Sequence, residues 1–236
     1  MNISYKRSLA IFVKDYKEFS RNYALSIMLV FPVILAVLFR GAGASLPGAS
    51  GFLFNTSFVL LTCFAQACLI AEEKERNTLR SLMMTPATTM DVLAGKSALV
   101  FAMSVVILGI STLIFGYKPV NIWVFAAVIL LSIILYTAAG TICGLYSKTV
   151  LESSLSILPV ATIFMGAPWG AVFVKDYPVL KVLDYVPSSQ LVHFLGISNT
   201  GYTAWDIVKP LLITLIWTIL LTLLSVVLYV RRLKDE

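Results

Sequence analysis

Residues 71–96 read AEEKERNTLRSLMMTPATTMDVLAGK, the longest polar interval between two apolar blocks of the chain. The interval carries Glu72, Glu73, Lys74, Glu75, Arg76, Arg80, Asp91 and Lys96, whereas residues 52–71 and 97–117 on either side carry no charge. Glu72 to Arg76 can continue the preceding helix as a solvated end. Asn77 tolerates a left-handed or capping backbone. Thr78 to Met84 then makes a short helix with Leu79, Leu82 and Met83 on one face. Pro86 stops it, because a proline pushes the residue before it, Thr85, out of helical geometry. Thr88-x-x-Asp91 has the spacing of a capping box and opens the next helix. An exposed apolar stripe on a short helix inside a polar loop calls for a partner.

Outward from this loop the chain is built for a bilayer. Of its 236 residues 59% are hydrophobic and 13% charged, where a soluble domain carries roughly 25% charged residues. The apolar residues come in blocks rather than at amphipathic spacing. The fold class expected is all-α: a single polytopic transmembrane domain, 1–236, with six membrane helices at 23–39, 52–71, 97–117, 122–146, 153–174 and 210–230. Residues 40–51, RGAGASLPGASG, form a Gly/Ser/Pro loop. Residues 175–205 are mixed, aromatic and broken by Pro178 and Pro187, giving two amphipathic pieces too short to span. They read as interfacial or re-entrant helices on the outer side.

Residues 1–22 form an amphipathic helix. Leu9, Phe12, Val13, Tyr16 and Phe19 recur at spacings of three and four, with Lys6, Lys14, Lys17 and Arg21 between them. The pattern suits a helix lying on a membrane surface and touching lipid. The alternative is a helix that faces the soluble side and merely leads into the first span. The segment is not a cleavable signal, since charges interrupt its apolar residues.

Orientation follows from the basic residues. With the N-terminus inside and six spans, 13 of the 18 Lys and Arg fall on inner segments and 5 on outer ones. Both termini and the 72–96 loop are therefore expected on the cytoplasmic face of the cell membrane, a bacterial plasma membrane. The net charge of +6 is a topology signal rather than a nucleic-acid footprint, because the cations cluster at the ends of apolar blocks.

No chemistry-bearing constellation emerges. Cys63, Cys68 and Cys143 all lie inside apolar blocks without a CxxC pair, so neither a disulfide framework nor a metal site is expected. Gly95-Lys96-Ser97 resembles the end of a phosphate-binding loop, but the full pattern needs glycine where the chain has Met90. Lys96 reads more simply as a basic anchor for the third span. His193, the only histidine, reads as a structural or headgroup-level residue. The six spans as bounded above contain no Asp, Glu, Lys or Arg, so no proton relay is in sight. The chain is expected to have no catalytic residue and no cofactor of its own, and its energy comes from elsewhere.

Residues 73–96 resemble the cytoplasmic loop of ABC-2 type transporter permeases, the exporter-type membrane subunits. Glu73, Glu75, Arg76, Thr78, Leu79, Leu82, Thr85, Pro86, Gly95 and Lys96 match that pattern, and Asn77 stands where glycine is usual. A second match lies in YPVLKVLDYVPSSQLVHFL, residues 177–195, through Pro178, Leu180, Leu183 and Pro187, with Val186 in place of the usual asparagine. The resemblance covers essentially the whole chain. It implies a permease that pairs with a second copy or a sister permease. It also implies binding to two cytoplasmic ABC ATPase subunits, which hold the ATP and Mg. Residues 73–86 would form the ATPase-coupling interface, with Met83 among its contacts. The N-terminal helix would be the connecting helix beside it.

The uncharged spans imply an apolar cavity, with Phe, Met, Ser and Thr available from the second and fifth spans, and hence an amphipathic or hydrophobic cargo such as a peptide or drug. Two other classes stay open: a self-sufficient secondary carrier, and a membrane immunity or scaffold protein that does not pump. Uncharged spans speak against the first, and the coupling-type loop against the second.

Overall fold

The computed structural model describes residues 5–40, 48–76, 88–170, 173–174, 177–197 and 203–235. They are helical throughout, without a strand among the described residues. Helix α1 is Tyr5–Arg21, α2 Tyr23–Leu38, α3 Ala49–Glu75, α4 Thr89–Phe115, α5 Ile122–Tyr146, α6 Val150–Ser156, α7 Leu158–Gly170, α8 Pro187–Leu195 and α9 Ala204–Asp235. A 3-10 helix, Pro178–Tyr185, precedes α8.

Five stretches are long and apolar enough to cross a bilayer: Ala49–Glu75, Met90–Phe115, Ile122–Tyr146, Val150–Gly170 and Ala204–Arg231. A sixth arises if α1 and α2 are taken together, and these meet at a bend of 76°. The chain is an all-α, multi-pass membrane protein.

α3 is the axis of the bundle. At ~1.5 Å per residue its 27 residues reach roughly 40 Å, and 89% of its apolar window is buried, against 17% for the peripheral α9. Its middle, Phe58–Cys63, is wound as a π-helix, an insertion common at functional positions. α5 lies against α3 at Gly140 and Gly144. A Cβ at Gly144 would stand 2.7 Å from the Ala67 carbonyl oxygen, and Gly140 backs onto the Cys63 carbonyl in the same way. Small residues four apart let two membrane helices approach closely. Stacked rings of Phe58 and Tyr136, 5.2 Å apart, continue through Phe164 to Trp217, and so tie α3, α5, α7 and α9 together.

The 3-10 helix and α8 fold back at one end of the bundle. Asn55 of α3 donates to the Ser188 carbonyl at 3.3 Å. Lys209 of α9 meets Asp184 at 2.9 Å, and His193 Nε2 lies 2.8 Å from the same carboxylate. Trp217 donates to the Tyr185 carbonyl at 3.0 Å. The lone histidine thus belongs to a charged clasp between α8, the 3-10 helix and α9.

Candidate functional site, a buried charge cluster beside residues 77–87

At the other end of the bundle, α1 lies across α3 and α4. Its buried stripe is Ile11, Asp15 and Phe19, spaced four apart as one helical face requires. The contact is close because α4 offers Gly95: a Cβ there would sit 2.8 Å from the Ser8 carbonyl oxygen and 2.9 Å from Ile11 Cβ. Phe19 is buried within the protein and packs with Ala65, Cys68, Leu69, Leu99 and Val100, so the structure sets it among α3 and α4 side chains rather than against lipid. Phe12 is half-buried on the same cluster. The outward flank carries the exposed Tyr5, Leu9, Val13 and Tyr16. Lys6, Lys17 and Arg21 are exposed next to it.

Asp15 sits in the middle of the apolar stripe, and its partner is Lys96 of α4. The ammonium lies 3.1 Å from Asp15 Oδ2, 3.0 Å from Glu73 Oε1 and 3.3 Å from the Leu69 carbonyl oxygen. Three acceptors thus meet the three donors of a lysine ammonium. Lys96 and Asp15 are each 1% exposed, and Glu73 3%. Lys14 of α1 reaches the same Glu73 Oε1 at 3.1 Å and Asp15 Oδ1 at 3.5 Å. Burial pulls the Lys14 pKa down, but the Glu73 and Asp15 carboxylates outweigh it and hold the group above its usual 10.5. A small cavity of about 30 Å³ opens between Asp15, Glu18, Glu72, Arg76 and Lys96, room for about one water.

A second tie fixes the start of α4. Thr88 and Asp91 form the capping box their spacing announces: the Thr88 N–H donates to Asp91 Oδ2 at 2.9 Å, and the Asp91 N–H donates to Thr88 Oγ1 at 3.2 Å. Asp91 is fully buried and also faces Arg7 of α1 at 3.5 Å. On the other side, Lys74 donates to the Leu145 carbonyl at 2.7 Å, and Glu75 Oε2 accepts from the Val150 N–H at 2.8 Å. These bonds join the end of α3 to α5 and α6.

Among the described residues of the 72–96 stretch, Glu72, Glu73, Asp91 and Lys96 are buried, whereas Glu75 and Arg76 are exposed. α3 continues helically through Glu75, so these charges ride on a helix end that is buried at Glu72 and Glu73 and solvated at Glu75 and Arg76. Glu73 is buried, Glu75 bonds the α6 backbone, and Arg76 remains largely exposed while pairing with Glu72 at 2.6 Å. Glu73 is an internal tie, while Glu75 is exposed and bonds the start of α6. Asn77, Thr78, Leu79, Leu82, Met83, Thr85 and Pro86 lie outside the described residues.

Sequence reasoning passed over Asp15, counted Arg7 only toward orientation, saw Asp91 only as half of a capping box, and gave Lys96 only an anchoring role. A signal was present. Asp15 interrupts the stripe of Ile11 and Phe19, and Lys96 interrupts that of Val92, Leu99 and Val100. Two opposite charges on two apolar faces are an invitation to pair the faces. Nothing in the cluster is arranged to react, since each charge is aimed at another. What it does is lock α1, α3 and α4 into one body on both sides of residues 77–87.

A family model described as an ABC-2 family transporter protein matches residues 40–227. No curated protein matches the chain.

Proposed function

Because the chain belongs to the ABC-2 family of transporter proteins, and is thus a multi-pass membrane permease, we propose that it is the transport subunit of an ATP-driven exporter. In this reading separate ATPase subunits hold the ATP and Mg and seat against residues 77–87 on the cytoplasmic face. A second permease copy or a sister chain completes the pathway. The cargo is amphipathic or hydrophobic, a peptide or a drug.

The observation that supports this best is the buried cluster of Lys96, Asp15, Glu73 and Lys14. A loop that receives a push must be fixed to the helices it is to move. Residues 77–87 are bounded by α3 and α4, and both of these are tied to α1 through the buried Asp15, Glu73 and Lys96. A displacement of the loop would then pass to three helices at once. Salt bridges screened by solvent would yield instead, since exposed pairs contribute ~0–1 kcal/mol, whereas removing one partner of a buried pair costs about 3–5 kcal/mol.

The test is co-purification of the tagged chain with an ABC ATPase encoded beside it. An intact complex is expected for the unaltered protein, and Leu79→Asp with Leu82→Asp should abolish it while the permease still folds. Recovery of the chain without any ATPase, or a complex indifferent to both substitutions, would overturn the reading.

A further inference from the structure

At the end of the bundle away from the charge cluster, a cavity of about 130 Å³ lies between α3, α7 and α8. Phe52, Met165, Trp169 and Val192 supply its apolar wall, and Asn55 and Thr56 its polar edge. Asn55 and Thr56 are each 3% exposed. Among the described residues no group hydrogen-bonds to Asn55 Oδ1 or Thr56 Oγ1. Both absences are informative. The Asn55 amide is oriented by the Ser188 carbonyl, which accepts from Nδ2 at 3.3 Å. A carbonyl takes only a donor, so Oδ1 is the atom left over. Ser57, Thr112 and Thr137 each donate to the carbonyl four residues back, at 2.6–2.7 Å, whereas the Thr56 hydroxyl, like those of Ser111 and Thr214, makes no such bond; of these three only Thr56 lines the cavity. An unpartnered buried oxygen is costly, and both of these belong to residues that line the same cavity, which calls for a ligand.

The geometry points to a binding site for a single-ring-sized apolar group that carries one N–H or O–H donor. The volume sets the size, since a dry cavity of ~150 Å³ takes benzene. The Met165 thioether and the Trp169 ring favour an aromatic occupant. Asn55 Oδ1 accepts the ligand's proton, and the Thr56 hydroxyl adds a second polar atom to the cavity wall. The site deepens the transport reading, and rests on it for the ligand's role as cargo: it names a phenol-like or anilide-like group as the part of the cargo held here. Binding itself belongs to this chain alone and needs no ATPase, so its failure and that of the transport reading are told apart.

The experiment is ¹⁹F NMR on the full chain in phosphatidylcholine nanodiscs, whose headgroup has no N–H or O–H donor to compete. The probes are 4-fluorophenol and fluorobenzene, referenced to empty nanodiscs. Saturable broadening of 4-fluorophenol is expected, tighter than fluorobenzene by about tenfold, the ratio one well-made hydrogen bond supplies. Asn55→Leu should bring the two probes level. Thr56→Val keeps the shape of the side chain and should lower the phenol's preference by about threefold, which keeps the test open should Asn55→Leu fail to fold. Equal binding of the two probes, no saturation above empty nanodiscs, or a preference that survives in both variants would overturn the proposal.

Discussion

Lys96 and Asp15 stand 81 positions apart in the chain and 3.1 Å apart in the fold, each 1% exposed. Alongside this pair, Lys14 with Glu73, Arg7 with Asp91, and the packing of Ile11 and Phe19 hold α1. Its outward flank is exposed, and its inward stripe is only a few residues wide. The pair helps turn a surface helix into part of the bundle.

Lys96→Met removes the ammonium between Asp15 and Glu73 and leaves both carboxylates buried beside Lys14. The substitution should cost about 3–5 kcal/mol. Asp15→Leu combined with Lys96→Met should cost less than the sum of the two singles by more than about 1 kcal/mol, the mark of residues in contact. Thermal unfolding of the four proteins in nanodiscs measures both quantities. Strict additivity would mean that the two charges do not meet.

Gly95 and Gly109 both lie in α4 and provide a paired test. Alanine is better than glycine in a helix by ~1 kcal/mol, so Gly109→Ala, with open space around the new Cβ, should stabilise by up to that amount. Gly95→Ala gains the same propensity but drives a methyl to 2.8 Å from the Ser8 carbonyl oxygen. Overpacking of ~1–3 kcal/mol outweighs the gain. The Gly95 variant should therefore be the less stable of the two, and trypsin should cut faster within α1. Matching stabilities would remove the close approach of α1 and α4.

The clasp at the opposite end is sensitive to acid. Burial pushes the Asp184 pKa up, but Lys209 and then His193 outweigh it and hold the carboxyl below its usual 3.8. A depressed carboxyl stabilises above its unfolded value and stops doing so as the pH falls through its folded value. The contribution is thus complete above about pH 4 and disappears below it. Trp217, bonded to the Tyr185 carbonyl beside the clasp, is one of the tryptophans that should report the loosening, as a fluorescence change between about pH 4 and 2. In Asp184→Asn that acid-induced step should vanish, and a step that persists would assign it to another carboxylate.

Pro86→Ala tests the break at the far side of the short helix read from the sequence. The apolar stripe of Leu79, Leu82 and Met83 is unchanged, so an ATPase complex should still form. Transport by the reconstituted complex should fall several-fold, because the helix is no longer stopped where the push must be redirected. Transport equal to that of the unaltered protein would show that this break has no part in coupling.

The bilayer architecture was legible because it depends on composition: apolar blocks of span length leave few alternatives. The capping box at Thr88 and Asp91 was legible because it is local, two side chains three positions apart. Lys96 illustrates what was not. Read along the chain it is a basic residue between a glycine and a serine, at the edge of an apolar block. Its meaning comes from Asp15 and Glu73, which only the packing of three helices brings to it. The charge counts that gave an orientation treated every lysine as solvated, and so could not separate Lys17, which is exposed, from Lys96, which is not. The unpartnered Asn55 and Thr56 were hidden for the same reason, since a missing hydrogen bond has no signature in sequence.

The buried ammonium of Lys96 also has a history within each molecule. Before α1, α3 and α4 meet, Lys96 is one of the cations on which the orientation expected from the sequence rests. Once the helices close, the same ammonium is surrounded by Asp15, Glu73 and the Leu69 carbonyl and is lost to lipid headgroups. One atom serves first as an address and afterwards as a bolt. Substitutions there should therefore be read twice, in the topology of the newly made chain and in the strength of the finished one.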